Sequence, residues 1–215
     1  MFRKLLVCAA LVAGSAAANA GPVLLDEGFD SLGNLPGWGA AYLSSPPGET
    51  GWFQGNSGIF AAESGAADSY IAANYLNAAP GGNIDTWLAT PLLNTASGAA
   101  VLTFAARVGG ALPGDNLEIL INTVGSDLIS DFVSLGDISG LPVDAWGFYT
   151  FSYEGYGPLD VRFAFRYHVT DTSSNGDYLG IDSVTVNVPE PETLALMAVG
   201  MLLTPLVLRR RRKQI

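Results

Sequence analysis

The chain has 215 residues with 20 acidic and 10 basic side chains, a single His and a single Cys. Seven of the basic residues sit at the two ends (Arg3, Lys4 and Arg209 to Lys213), so residues 21 to 188 set eighteen acids against Arg107, Arg162 and Arg166. Such a body excludes a nucleic-acid partner, since binding to phosphates comes from Lys and Arg releasing counterions, and one cysteine excludes a disulfide framework or a thiolate metal site.

Met1 to Lys4 are basic, Leu5 to Ala17 are apolar and small, and Ala18-Asn19-Ala20 gives a small-x-small cleavage site. This is the pattern of a secretory signal peptide over residues 1–20, cut by signal peptidase after Ala20. Cys8 falls inside the leader, so an exported chain starting at Gly21 carries no cysteine. The cysteine comes too early for a lipid attachment site, and Val7 precedes it where a small residue is needed.

Residues 21–187 read as one domain of ordinary size. Strand-like runs are expected at 22–27, 58–62, 69–73, 85–90, 100–108 and 146–153. Between and after them, Leu117, Ile119 and Ile121 alternate with polar neighbours, as do Val161, Phe163, Phe165, Tyr167 and Val169, and then Val184, Val186 and Val188. A period of two with one wet face signals antiparallel sheet. Nine or ten such runs, separated by Gly, Pro, Asn and Asp turns, predict an all-β chain folded as a jelly-roll-type antiparallel β-sandwich.

Chemistry is sparse in this body. His168 is the sole histidine and stands on the polar side of its strand, so a histidine-ligated zinc site lacks partners. Gly55-Asn56-Ser57-Gly58 is followed by Ile59, not the glycine a nucleophile elbow needs. Asp171, Ser173, Asn175 and Asp177, with Gly176 at position six and Asp182 at position twelve, mimic an EF-hand calcium loop, but strands flank it where helices belong; a polar turn fits the same residues. Trp38 and Trp87 read as packing residues, and Trp52, in the glycine-rich stretch 46–58, is the candidate for stacking on a sugar ring, with packing as the alternative. No catalytic residue stands out.

The tail, residues 188–215, has three parts in order. Val188-Pro189-Glu190-Pro191-Glu192 is extended because two prolines within three residues prevent regular hydrogen bonding. Thr193 to Leu208 form an uncharged transmembrane helix of about 24 Å, short for a bilayer core of about 30 Å. Arg209, Arg210, Arg211, Arg212 and Lys213 stop it on the cytoplasmic side.

These three parts resemble the PEP-CTERM sorting tail of Gram-negative bacteria, which implies transient insertion in the inner membrane, processing by an exosortase, and display at the cell surface or in the extracellular matrix. A second set of landmarks also runs in order: Glu27-Gly28-Phe29-Asp30, Leu35-Pro36-Gly37-Trp38, Asp85 to Pro91, Leu102-Thr103-Phe104, and Tyr178 to Val184. They resemble the choice-of-anchor J domain, a relative of cleaved-adhesin and MAM-type jelly rolls. That resemblance implies a structural calcium ion at Glu27, Asp30 and Asp182, although Gly28 and Ser183 stand where relatives often carry carboxylates. It also implies a non-catalytic adhesion or carbohydrate-binding module whose partner is exopolysaccharide. A matrix-acting glycoside hydrolase using a carboxylate pair, and a purely structural surface protein, are the alternatives.

Overall fold

The computed structural model describes residues 21–110 and 114–189. The expected leader, membrane helix and basic stop lie outside them. Among the described residues no helix is long and apolar enough to cross a membrane.

The described residues form one compact unit of thirteen strands. They are β1 (Val23–Glu27), β2 (Gly39–Tyr42), β3 (Ser45–Pro47), β4 (Phe53–Gln54), β5 (Ile71–Asn74), β6 (Ala78–Ala89), β7 (Leu93–Thr95), β8 (Ala99–Val108), β9 (Asn116–Asn122), β10 (Val133–Ser139), β11 (Gly147–Glu154), β12 (Leu159–Val169) and β13 (Tyr178–Asn187). One sheet has the order β11-β8-β13-β5-β4, with β1 also on β13. The other runs β10-β9-β12-β6-β2, with β3 on β6 and β7 on β12. Every pairing is antiparallel.

The alternation read from the sequence sets which side chains enter the core. On β12, Val161, Phe163, Phe165, Tyr167 and Val169 are all buried, while Arg162, Arg166 and His168 are only partly covered. Leu102, Phe104 and Ala106 of β8 and Ile181, Val184 and Val186 of β13 meet them from the other sheet in a single core. Phe104 joins the layers. It stands edge-on to Phe165 across the gap, with centroids 5.0 Å apart, and stacks beside Tyr149 and Phe151 of its own sheet. Such aromatic pairs add to the burial of apolar area.

Three differences from the expected strands have local causes. Gly58 to Ala62 form a loop, in which the N–H groups of Ile59 and Phe60 donate to Asn56 O, and Phe60 is buried as an anchor under Tyr70, Tyr178 and Trp146. β6 starts at Ala78 instead of 85, because its Pro- and Gly-containing first half pairs with the short β3 at the rim. β10 escapes the alternation pattern because its register slips between Ser134 and Gly136, as a bulge does.

The cross-sheet contact gives a stability test. Phe104→Ala in a fragment of residues 20–191 should lower the unfolding free energy by about 3–5 kcal/mol, read from a urea melt with unchanged slope. A loss under about 1 kcal/mol would show that this ring does not hold the sheets together.

Candidate functional site: a groove on the outer face of the seven-stranded sheet

The residues of β12 that avoid the core define a second surface. Register places them in rows across the sheet. Ala41, Trp87, Arg166, Glu118 and Asp137 lie side by side on β2, β6, β12, β9 and β10. The row toward one end is Gly39, Ala89, Ala164, Leu120 and Ser134; the row toward the other contains Asp85, His168, Asn116 and Ser139.

Small side chains make the first of these flanking rows low. Gly39, Ala40, Ala41 and Ala89 thus line a cavity of about 370 Å³ walled by Trp38, Trp87, Ile129 and Phe132. Trp87, Leu120 and Ala164 form an apolar patch here, separate from the main core. The β9–β10 connection brings Phe132 edge-on to Trp87 at 6.0 Å. A β-carbon added at Gly39 would meet nothing within 4 Å, so the floor is open at that point.

Polar groups hold the aromatic wall in place. Trp87 Nε1 donates to Asp85 Oδ1 at 2.7 Å. Arg166 donates to both oxygens of Asp85, at 2.7 and 2.9 Å, and to Glu118 Oε2 at 3.0 Å, while its guanidinium lies 5.3 Å from the Trp87 ring. The two carboxylates, chiefly Asp85, hold Arg166 above its already high ordinary pKa. At the end of the groove, Arg162 donates to Thr90 O at 2.9 Å and to Gly37 O at 3.3 Å, and pairs with Asp127 at 3.0 Å. A second depression, of about 310 Å³, is lined by Asp85, Arg166, His168 and Ser45.

The residues singled out from sequence lie mostly elsewhere. Trp52 is half-buried against the core, and its Nε1 donates to Trp87 O at 3.0 Å, so its indole supports the groove strand from within. His168 is in the second depression, 2.8 Å from Asp137. Glu27, Asp30 and Asp182 do not converge as a ligand set. Glu27 Oε1 accepts the Phe29 N–H, and Asp182 accepts the N–H groups of Glu63 and Ser64 on one oxygen and of Ser183 on the other. Asp30 lines a cavity of about 220 Å³ with Asp26, Ser64 and Ser183 instead. Among the described residues no three metal-binding side chains are grouped closely enough to hold an ion. The twelve-residue spacing from Asp171 does not close on one point either. Asp171 Oδ1 accepts the Ser173 N–H and Asn175 Nδ2 donates to Thr170 O, making a self-contained turn, while Asp182 lies inside β13.

The alternation on β12 already put Arg162, Arg166 and His168 on a wet face. What sequence reasoning missed was their partners: Asp85, Glu118, Asp127 and Asp137 come from β6, β9, a loop and β10, and only register brings them together.

Residues 187–212 match the PEP-CTERM protein-sorting motif family. No curated protein matches the chain. Among solved structures, the chain is similar to the K1 cleaved adhesin domain of Lys-gingipain from Porphyromonas gingivalis W83, with 18% identity, 79% of this chain and 100% of that one covered, and a TM-score of 0.57. The K2 cleaved adhesin domain of Lys-gingipain aligns with 17% identity over 75% of this chain and 98% of that one, at a TM-score of 0.56. The xylan-binding module CBM15 aligns with 14% identity over 79% of this chain and 98% of that one, at 0.50. The shared feature is the fold, a two-sheet antiparallel sandwich.

Asp182 offers a pH test of its surroundings. It is fully buried, and burial raises its carboxyl above the ordinary value despite three N–H donors, with Glu63 adding a like charge. A raised acid binds its proton more tightly when folded, so its contribution to stability falls as pH climbs from the unfolded value near about 4 through the folded one. Asp182→Asn, which cannot ionise, should therefore gain on the wild type as pH rises from about 4 to 8, measured as the difference between their urea midpoints. A difference that stays flat with pH would refute the assignment.

Proposed function

We propose that the chain is an exported, exosortase-sorted surface protein whose β-sandwich, of the choice-of-anchor J type, binds an uncharged polysaccharide in the groove beside Trp87 without cleaving it. The observation that carries this reading is the open trough itself. A floor of Gly39, Ala40 and Ala89 between Trp38, Trp87 and Phe132 offers apolar walls for sugar faces, with polar groups set along its length. The likeness to a module named as xylan-binding supports the same class of ligand on the same kind of scaffold.

Charge supports an uncharged chain over an acidic one. The body is strongly negative, and its groove arginines are engaged by Asp85, Glu118 and Asp127. The same pairing argues for binding over catalysis. Cleaving a glycosidic bond needs a pair of carboxyl groups free to reach the substrate, and here Asp85, Glu118 and Asp127 are each held by an arginine. The sorting motif supports the address: removal of the leader by signal peptidase, a transient stay in the inner membrane, exosortase processing, and then the cell surface or the surrounding exopolysaccharide.

The test is binding of residues 20–191 to soluble xylan and to the producing bacterium's own exopolysaccharide. Gly39→Trp should fill the trough, lower affinity at least about tenfold, equivalent to about 1.4 kcal/mol, and leave the melting temperature unchanged. Binding unaffected by Gly39→Trp would move the ligand off this face, and release of reducing ends would replace the binding module with a hydrolase.

A further inference from the structure

At one end of the sandwich an acid is buried with no cation beside it among the described residues. Asp115 precedes β9 and is 4% exposed. Its Oδ1 accepts the Tyr167 hydroxyl and, at 3.3 Å, the Asp177 N–H; its Oδ2 is fully buried and has no hydrogen-bond partner among the described residues. Asp177 stands close by, and its charge acts on Asp115 as a like neighbour. The Asp177 carboxylate rests on Gly110, where a β-carbon would overlap its Oδ2. Among the described residues it accepts no hydrogen bond of its own.

Four segments meet here. Gly109 and Gly110 follow β8, Asp115 leads into β9, Tyr167 reaches from the core side of β12, and Asp177 leads into β13; Gly109 N donates to Tyr178 O at 2.7 Å. Two of these strands belong to each sheet. Among the described residues no cation stands between the two carboxylates. Residues 21–188 contain no lysine, Arg162 and Arg166 are in the groove, and Arg107 donates to Val143 O and lies over the Phe60 ring.

We propose that a calcium ion binds between Asp115 and Asp177, completed by water, and clamps the two sheets together at this end. An unpaired buried carboxylate oxygen is costly, and a divalent cation removes that cost while balancing both charges. Calcium suits an irregular oxygen set better than magnesium, which demands octahedral geometry. With only two carboxylates the affinity belongs to the weak extracellular class, about 10⁻⁴ to 10⁻³ M.

The experiment is a thermal melt of residues 20–191 at neutral pH in chelator and in millimolar calcium, with terbium luminescence excited through tyrosine as a direct probe of the ion beside Tyr167. The wild type should melt several degrees higher in calcium and sensitise terbium, with calcium competing. Asp115→Asn and Asp177→Asn should each lose both responses, and Asp30→Asn, in the other acidic cavity, should keep them. Asp177 is half-buried at a turn, so its variant carries the test if Asp115→Asn fails to fold. A wild type indifferent to calcium, with Asp115 and Asp177 sharing a proton instead, would overturn the proposal. So would a calcium response that survives Asp177→Asn or vanishes in Asp30→Asn.

Discussion

Everything in this sandwich depends on the register of β12. Its inward residues, Phe163, Phe165 and Tyr167, fill the gap between the sheets; on its other face Arg162 lines the groove, Arg166 the second depression, and Ala164 the apolar patch under Trp87. Because strand side chains alternate with a period of two, a slip of one residue would exchange core and surface. The aromatic contact between Phe104 and Phe165 therefore also fixes where Arg166 meets Asp85 and Glu118. Packing and the shape of the groove are two faces of one constraint.

The three arginines show how few charges are needed to organise an acidic surface. Arg166 gathers carboxylates from two neighbouring strands, Arg162 ties a loop to the groove end, and Arg107 fastens the β10–β11 connection at Val143. None serves as a free positive spot. The remaining acids lie toward solvent or, at Asp115 and Asp182, are buried among backbone and hydroxyl donors.

How much of this was legible in sequence follows from the range of each interaction. Alternation is local, so the long strands β8, β9, β11, β12 and β13 and the sandwich itself could be read from Phe163, Phe165 and Tyr167 and their counterparts. Short rim strands such as β3, with Ser-Pro-Pro, carry no periodic signal and exist only because β6 pairs with them. The groove was legible by half: β12 announced a wet face, but neither the small floor at Gly39 and Ala89 nor the partners of Arg166 can be found without cross-strand register. Trp52 illustrates the limit. A glycine-rich setting suggested exposure, yet its indole is turned inward to a backbone carbonyl, while Trp87 packs as read, 7% exposed beside Leu120 and Ala164, and also lines the groove.

The scarcity of basic residues has an effect on durability. Proteases that cut after Lys or Arg find three targets in residues 21–188, after Arg107, Arg162 and Arg166. The first lies in β8 and the others in β12, both inner strands paired on each side. A trypsin-like enzyme needs its substrate extended and unpaired, so digestion of this body requires the sheets to come apart first. For a chain whose sorting motif directs it toward the cell surface, and whose body has no cysteine, composition and placement alone then hinder a whole class of proteases.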